Sequence, residues 1–269
     1  MEQFSVRANL NIFSSLFLIV SLLSATFISA SEIANKVNEI KSSKVHAPHS
    51  VEMLAGLPKP PFIIEENGAG LQLDIVREAF ISVNHSVNFT HLPLGRSISG
   101  FKRFNADGII TLPTEYQHPS IFVSKPYIEY QNVAVSLTDS DLTIDKIQDL
   151  SGKSVIAFQN AKKFLGDDYN ASISLSTDYR EIADQIQQIE MLFSRRTEVV
   201  ILDVNIFKHF VKTHVGGRYN QDFTIHAIFA VREYSAGFNN EQHRDLFDQG
   251  VNLIKEQGVY QLVLDRYLQ

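Results

Sequence analysis

Asp203 closes the apolar run Val199-Val200-Ile201-Leu202, and a carboxylate at a strand end facing a cleft is a ready partner for an ammonium group. The same side chain could instead cap the helix expected over 204–215, since Asp is among the best N-cap residues. Both roles stay open. Arg96 follows Pro93-Leu94-Gly95, between a strand and a helix, where a guanidinium can hold a carboxylate in a two-pronged grip. The bland alternative is an exposed arginine at a helix start, mildly opposed by the helix dipole. Gln159-Asn160-Ala161 opens a further helix, whose backbone N–H groups can hold an anion. Tyr127 and Tyr130 could line a cleft or simply pack.

Several chemistries are excluded. The nine histidines include none with a partner four residues on and a nearby acid, so no zinc helix is expected. There is no Gly-X-Ser-X-Gly elbow, phosphate loop or dinucleotide fingerprint, and no cofactor is implied. With no cysteine the chain has no disulfide, thiolate metal site, cysteine nucleophile or lipid-modified cysteine. A net charge of −6 without a basic block argues against nucleic-acid binding.

The elements that must position these residues alternate between strand and helix. Val51 to Leu54 reads as a first strand, and Ile75, Val76, Ala79, Phe80 and Val83 recur at helical spacing. Val87 to Phe89 and Ile109 to Thr111 read as strands, with a helix marked by Ile98, Phe101 and Phe104 between them. Asp178 and Glu181 look like a capping box that opens a helix burying Ile182, Ile186, Ile189 and Phe193. Two helices, 242–257 and 259–268, finish the chain around Gly258. This pattern predicts an α/β protein of two lobes, each a mainly parallel sheet flanked by helices and joined by a two-strand hinge. Residues 49–136 with 232–269 form lobe 1, and 137–231 form lobe 2. Ligands in such folds lie at the carboxyl ends of strands, in the cleft.

Ahead of this region, Arg7, the uncharged apolar run 12–28 and Ser29-Ala30-Ser31 predict a cleaved signal peptide over 1–31, with an uncleaved membrane anchor as the alternative. A polar leader follows over 32–48. A secreted, cysteine-free chain points to a Gram-negative periplasm.

Two runs carry a family resemblance. Pro60-Pro61-Phe62 precedes Asn67-Gly68 and Gly70, and Ser124-Lys125-Pro126-Tyr127 leads into Val133-Ala134-Val135. With Leu150-Ser151-Gly152-Lys153-Ser154-Val155 and the ending Arg266-Tyr267-Leu268, they resemble the family 3 periplasmic solute-binding proteins, the polar-amino-acid class that feeds ABC importers. The resemblance covers nearly all of 50–268. It implies a monomeric, non-enzymatic binder of a small molecule, amino-acid-like or carboxylate-bearing, that delivers to an inner-membrane ABC permease. Phe62 matches the aromatic that packs on the ligand, and Thr111 and Thr114 lie in the loop that offers groups to a ligand carboxylate. Asp203 matches the acid that pairs with a ligand amine. Gln117 stands where the family carries its carboxylate-clamping arginine, a departure that Arg96 could offset. The same resemblance allows a freestanding periplasmic sensor, or a cyclohexadienyl-type dehydratase using Asp203 or Glu115 as acid or base.

Overall fold

The computed structural model describes residues 49–64, 68–93, 96, 101, 103–215 and 221–268. The expected signal peptide and leader lie outside the described residues, as does most of the helix expected across Ile98 and Phe101. The described residues all belong to one unit, Pro48–Gln269.

Strand β1 (His49–Ala55) pairs in parallel with β2 (His85–His91) and β3 (Gly108–Pro113). Helix α1 (Leu71–Ser82) buries Leu71, Ile75, Val76, Ala79 and Phe80, the apolar positions that return at three- and four-residue spacing. It begins without a side-chain cap: Leu71 and Gln72 donate their N–H groups to Pro61 and Phe62 carbonyls at 2.8 and 3.0 Å. Loop carbonyls thus satisfy donors that a helix start otherwise leaves unpaired. Gly70, at φ 130°, makes this approach possible, because a Cβ there would stand 2.4 Å from the Phe62 oxygen.

Strands β4 (Phe122–Val123), β5 (Ile128–Tyr130) and β11 (Arg232–Phe238) complete the first sheet, with the order β2-β1-β3-β11-β4 and β5 on β11. The second sheet holds β6 (Asn132–Leu137), β7 (Ser154–Phe158), β8 (Asp178–Ile182), β9 (Val199–Asp203) and β10 (Phe223–His226), ordered β10-β6-β9-β7-β8. Two lobes are therefore present, but each sheet is mixed rather than mainly parallel. Strand β11 runs antiparallel to β3, β4 and β5, and β6 runs antiparallel to β9 and β10. The reason is how the chain crosses. β6 and β11 enter one sheet directly from the other, with no helical crossover to turn them parallel.

The first crossing falls at Gln131, between β5 and β6, whereas the sequence pattern puts the change of lobe at 137. Val133 to Leu137 are buried, as an interior strand of either sheet would be, so their apolar character does not reveal which sheet takes them. A second difference concerns Asp178 and Glu181. They lie in β8, paired with β7, and open no helix. The cap belongs to Asp184, whose Oδ1 accepts from the Gln187 N–H at 3.1 Å and starts the helix Gln185–Phe193.

The second lobe also carries α2 (Ala161–Phe164), α3 (Asp167–Ile173), α4 (Gln185–Phe193) and α5 (Val204–Phe210), the last continuing as a π-type turn over Val211–Val215. Helices α6 (Glu241–Glu256) and α7 (Val259–Leu268) pack back on the first lobe. Gly250 lets α6 meet α1 backbone to backbone, since a Cβ there would stand 2.1 Å from the Ala79 oxygen. Among the described residues, no helix is long and apolar enough to cross a membrane.

Candidate binding cleft

A cavity of about 290 Å³ opens between the two sheets. The first lobe contributes Lys59, Thr111, Pro113, Tyr130, Arg232 and Tyr234 to its walls. Across from them stand Asn132, Phe158, Gln159, Phe164, Ala183, Gln185, Asp203 and Ile206 of the second lobe. Aromatic and aliphatic surface with a few charged groups is the usual make-up of a small-molecule site, and the volume is at the small end of that class.

Asp203 combines both roles that its sequence position allows. It ends the fully buried β9, is 4% exposed, and caps α5, with Oδ1 accepting from the Asn205 and Ile206 N–H groups at 2.9 and 3.1 Å. Its Oδ2 accepts from the Gln131 N–H at 2.9 Å, which ties the strand end to the first crossing. Burial pushes its pKa up to about 6, while the three N–H groups and Lys59 pull the other way.

Lys59 faces the same cavity. Its loop is closed by the Lys59 N–H on the Ile63 oxygen at 3.0 Å and by Phe62 and Ile63 N–H groups on the Lys59 oxygen. The ammonium lies over the Tyr130 ring, 4.3 Å from its centroid. Phe62 stacks on that ring at 4.0 Å, which leaves the opposite face for Lys59. Although Lys59 keeps part of its surface open to solvent, burial of the ammonium lowers it to about 8, against the pull of Asp203.

Gln72 supports this wall from behind. The side chain is fully buried, and its amide nitrogen shares two N–H groups among the Ile110 carbonyl, the Thr111 hydroxyl and the Tyr127 hydroxyl, 2.8–3.1 Å away. Its oxygen accepts from the Tyr130 hydroxyl at 2.9 Å. Tyr127 in turn donates to the Ile110 carbonyl at 2.6 Å. One amide therefore sets the rotamers of Thr111 and Tyr130, both on the cavity wall.

The residues singled out by sequence separate into two groups. Thr111, Gln159 and Asp203 meet at the cavity. Phe62 is fully buried beneath Tyr130, and Tyr127 is buried in the core against Phe247; neither lines the cavity. Thr114 is exposed in a neighbouring groove and donates to the Glu233 carbonyl at 3.0 Å. Gln117 lines another surface groove with His118 and Arg244. Arg96 is exposed, its N–H on the Pro93 oxygen at 2.8 Å, and lies outside the cavity lining. Asn160 adopts a left-handed conformation, and its N–H and that of Lys162 donate to Glu181 at 2.8 and 2.9 Å. Glu181 thus fills, from within the chain, the anion role that this helix start offers. Glu115 is exposed and stands 3.7 Å from Arg232.

Lys59, Asn132, Arg232, Tyr234 and the supporting Gln72 were not anticipated. Only Gln72 left a signal, as an amide beside the apolar positions of α1. Lys59 and Arg232 look like ordinary surface cations until the fold turns them inward.

No protein-family model and no curated protein matches the sequence, whereas solved structures match over most of the chain. An ancestral arginine-binding protein bound to arginine superposes with a TM-score of 0.64 at 18% identity, covering 83% of this chain and all of that one. This is the type II periplasmic binding-protein fold. The substrate-binding protein of an ABC uptake transporter from Streptococcus pneumoniae, with bound histidine, matches at TM-score 0.64 and 14% identity over 81% of this chain and 92% of its own. A histidine kinase sensor domain with similarity to periplasmic binding proteins matches at 0.65 and 13%, over 82% and 97%. The fold is thus shared by amino-acid-binding proteins, one of them of an uptake transporter, and by a kinase sensor domain.

Proposed function

We propose that this protein is a periplasmic solute-binding protein that captures a small polar ligand, amino-acid-like or carboxylate-bearing, between its lobes and presents it to an ABC permease as a monomer. The observation that carries this reading is the cavity itself, walled by both sheets and containing an acid, an ammonium and a guanidinium. Charged groups facing a shared apolar-walled space suit recognition of a small charged solute. The likeness to the uptake protein supports delivery to a transporter. Binding rather than conversion is supported by Asp203, whose two oxygens serve three backbone N–H groups and are poorly placed to shuttle protons.

The test is a thermal-shift screen of the purified protein against amino acids, organic acids, polyamines and short peptides. A ligand should raise the melting temperature with the logarithm of its concentration, with no product formed. Turnover of a cyclohexadienyl acid would overturn the binding reading. A second reading, a freestanding sensor, is favoured by the match to a kinase sensor domain. Deleting a transport protein should abolish uptake of the identified ligand; deleting a sensor should leave uptake intact and remove a response.

A further inference from the structure

The geometry points to a ligand class for this cleft: small carboxylates that lack an ammonium group, held by Lys59, Arg232 and the Thr111 hydroxyl. The inference rests on the binding reading above and goes beyond it by excluding free amino acids as the preferred ligands.

Three observations carry it. First, Asp203 has little left to offer an ammonium. A carboxylate has about four acceptor positions, and three N–H groups already occupy its two oxygens. Second, an ammonium is already present. Lys59 lines the same cavity as Asp203, and its position is fixed by the hydrogen-bonded loop beneath it and by the Tyr130 ring beside it. A ligand ammonium brought to Asp203 would meet this like charge in a half-enclosed space, where water screens it poorly. Third, the donors outnumber the acid. Arg232 also lines the cavity, and its guanidinium carries five N–H donors, one of which reaches the Phe164 carbonyl of the facing lobe at 2.9 Å. Its other neighbour, Glu115, is 3.7 Å away with a side chain 75% exposed, a pairing that solvent weakens. Thr111 accepts from Gln72 at 2.8 Å, which leaves its hydroxyl hydrogen as a donor.

Size agrees with this chemistry. A cavity of about 290 Å³ lies at the small end of small-molecule sites and so favours a compact ligand. Short dicarboxylates are ligands of that kind. The apolar walls supplied by Phe158, Phe164 and Ile206 suit the methylene chain between two carboxylates.

Two ligand pairs that differ only by the ammonium test the inference: glutarate against L-glutamate, and succinate against L-aspartate. L-arginine and the monocarboxylate valerate complete the set. Binding to the purified protein is followed by calorimetry and thermal shift. The expected result is at least tenfold tighter binding of an acid than of its amino counterpart. Lys59→Met should remove most of that preference, weakening the acid at least tenfold. Equal or tighter binding of glutamate, aspartate or arginine by the unaltered protein overturns the inference and leaves the binding reading standing. Stabilisation by uncharged solutes alone also overturns it. No binding by any solute in this set or the wider screen removes both readings. The comparison within each ligand pair uses the unaltered protein and so does not depend on how well the variant folds.

Discussion

Each lobe buries one glutamine completely, in the helix that packs on its sheet, and the two behave differently. Gln72 in α1 uses both ends of its amide: the nitrogen reaches Ile110, Thr111 and Tyr127, and the oxygen accepts from Tyr130. Gln188 in α4 donates to the Ile156 and Ile201 carbonyls, both at 2.8 Å, but its oxygen finds no partner. Gln188 clamps two adjacent strands and stops there. Gln72 continues through two side chains to the cavity wall. A buried amide is thus a local fastener in one lobe and part of the binding site's support in the other. What distinguishes them is whether the partners are main-chain atoms or side chains that must point somewhere.

Three substitutions would break or sharpen this contrast. The largest effect is expected for Gln72→Leu, which leaves the buried Tyr130 hydroxyl without its acceptor and Thr111 without its donor. A loss of roughly 2–4 kcal/mol should be seen in urea unfolding. Ligand affinity should fall by more than tenfold, because the cavity wall loses its fixed rotamers. If affinity is unchanged in the folded variant, the network is a fastener like its counterpart.

Lys59→Met comes next, read in stability rather than affinity. The folded chain releases the Lys59 proton near pH 8, whereas the ordinary lysine value is 10.5. The unfolded chain therefore binds more protons between those values, so this group's contribution to stability rises with pH across that window. Below pH 8 the charged ammonium is a net burden, and removing it should stabilise the ligand-free protein. Allowing for its partial exposure, we expect about 1 kcal/mol, or about 2–4 °C in melting temperature, at pH 7. The advantage over the unaltered protein should vanish by the pH at which ordinary lysines lose their proton. A variant less stable at pH 7 would show that the Asp203 attraction outweighs burial.

The smallest effect is expected for Gln188→Leu. It removes two hydrogen bonds to carbonyls but also an unsatisfied buried oxygen, and these partly cancel. A loss of about 0.5 kcal/mol should appear in unfolding, with ligand affinity unaltered. A tenfold fall in affinity would mean that the second lobe also transmits its core order to the cleft.

Much of the framework was legible because it depends on local pattern. The spacing of Ile75, Val76, Ala79 and Phe80 marks α1, and the run ending in Asp203 marks β9. Asp203 was also recognisable as a possible cap, since capping is decided within three residues. Asp178 and Glu181 show where such reasoning fails. Their spacing satisfies a capping box, yet pairing with β7 draws 178–182 into a strand and sends Glu181 to the amides of Asn160 and Lys162. Likewise, no local feature of Val133 to Leu137 says which sheet receives it, because both would bury it.

By itself the sequence determined the alternation of strands and helices that marks an α/β protein and the presence of an acid at a strand end. Those follow from periodicity and composition, which act over a few residues. Only the tertiary structure decided what the cleft contains. Lys59 and Arg232 lie far apart in the chain and become neighbours of Asp203 through two crossings between the sheets. Burial and charge, which set how a lysine or an aspartate behaves, are properties of that shared space and of no segment alone.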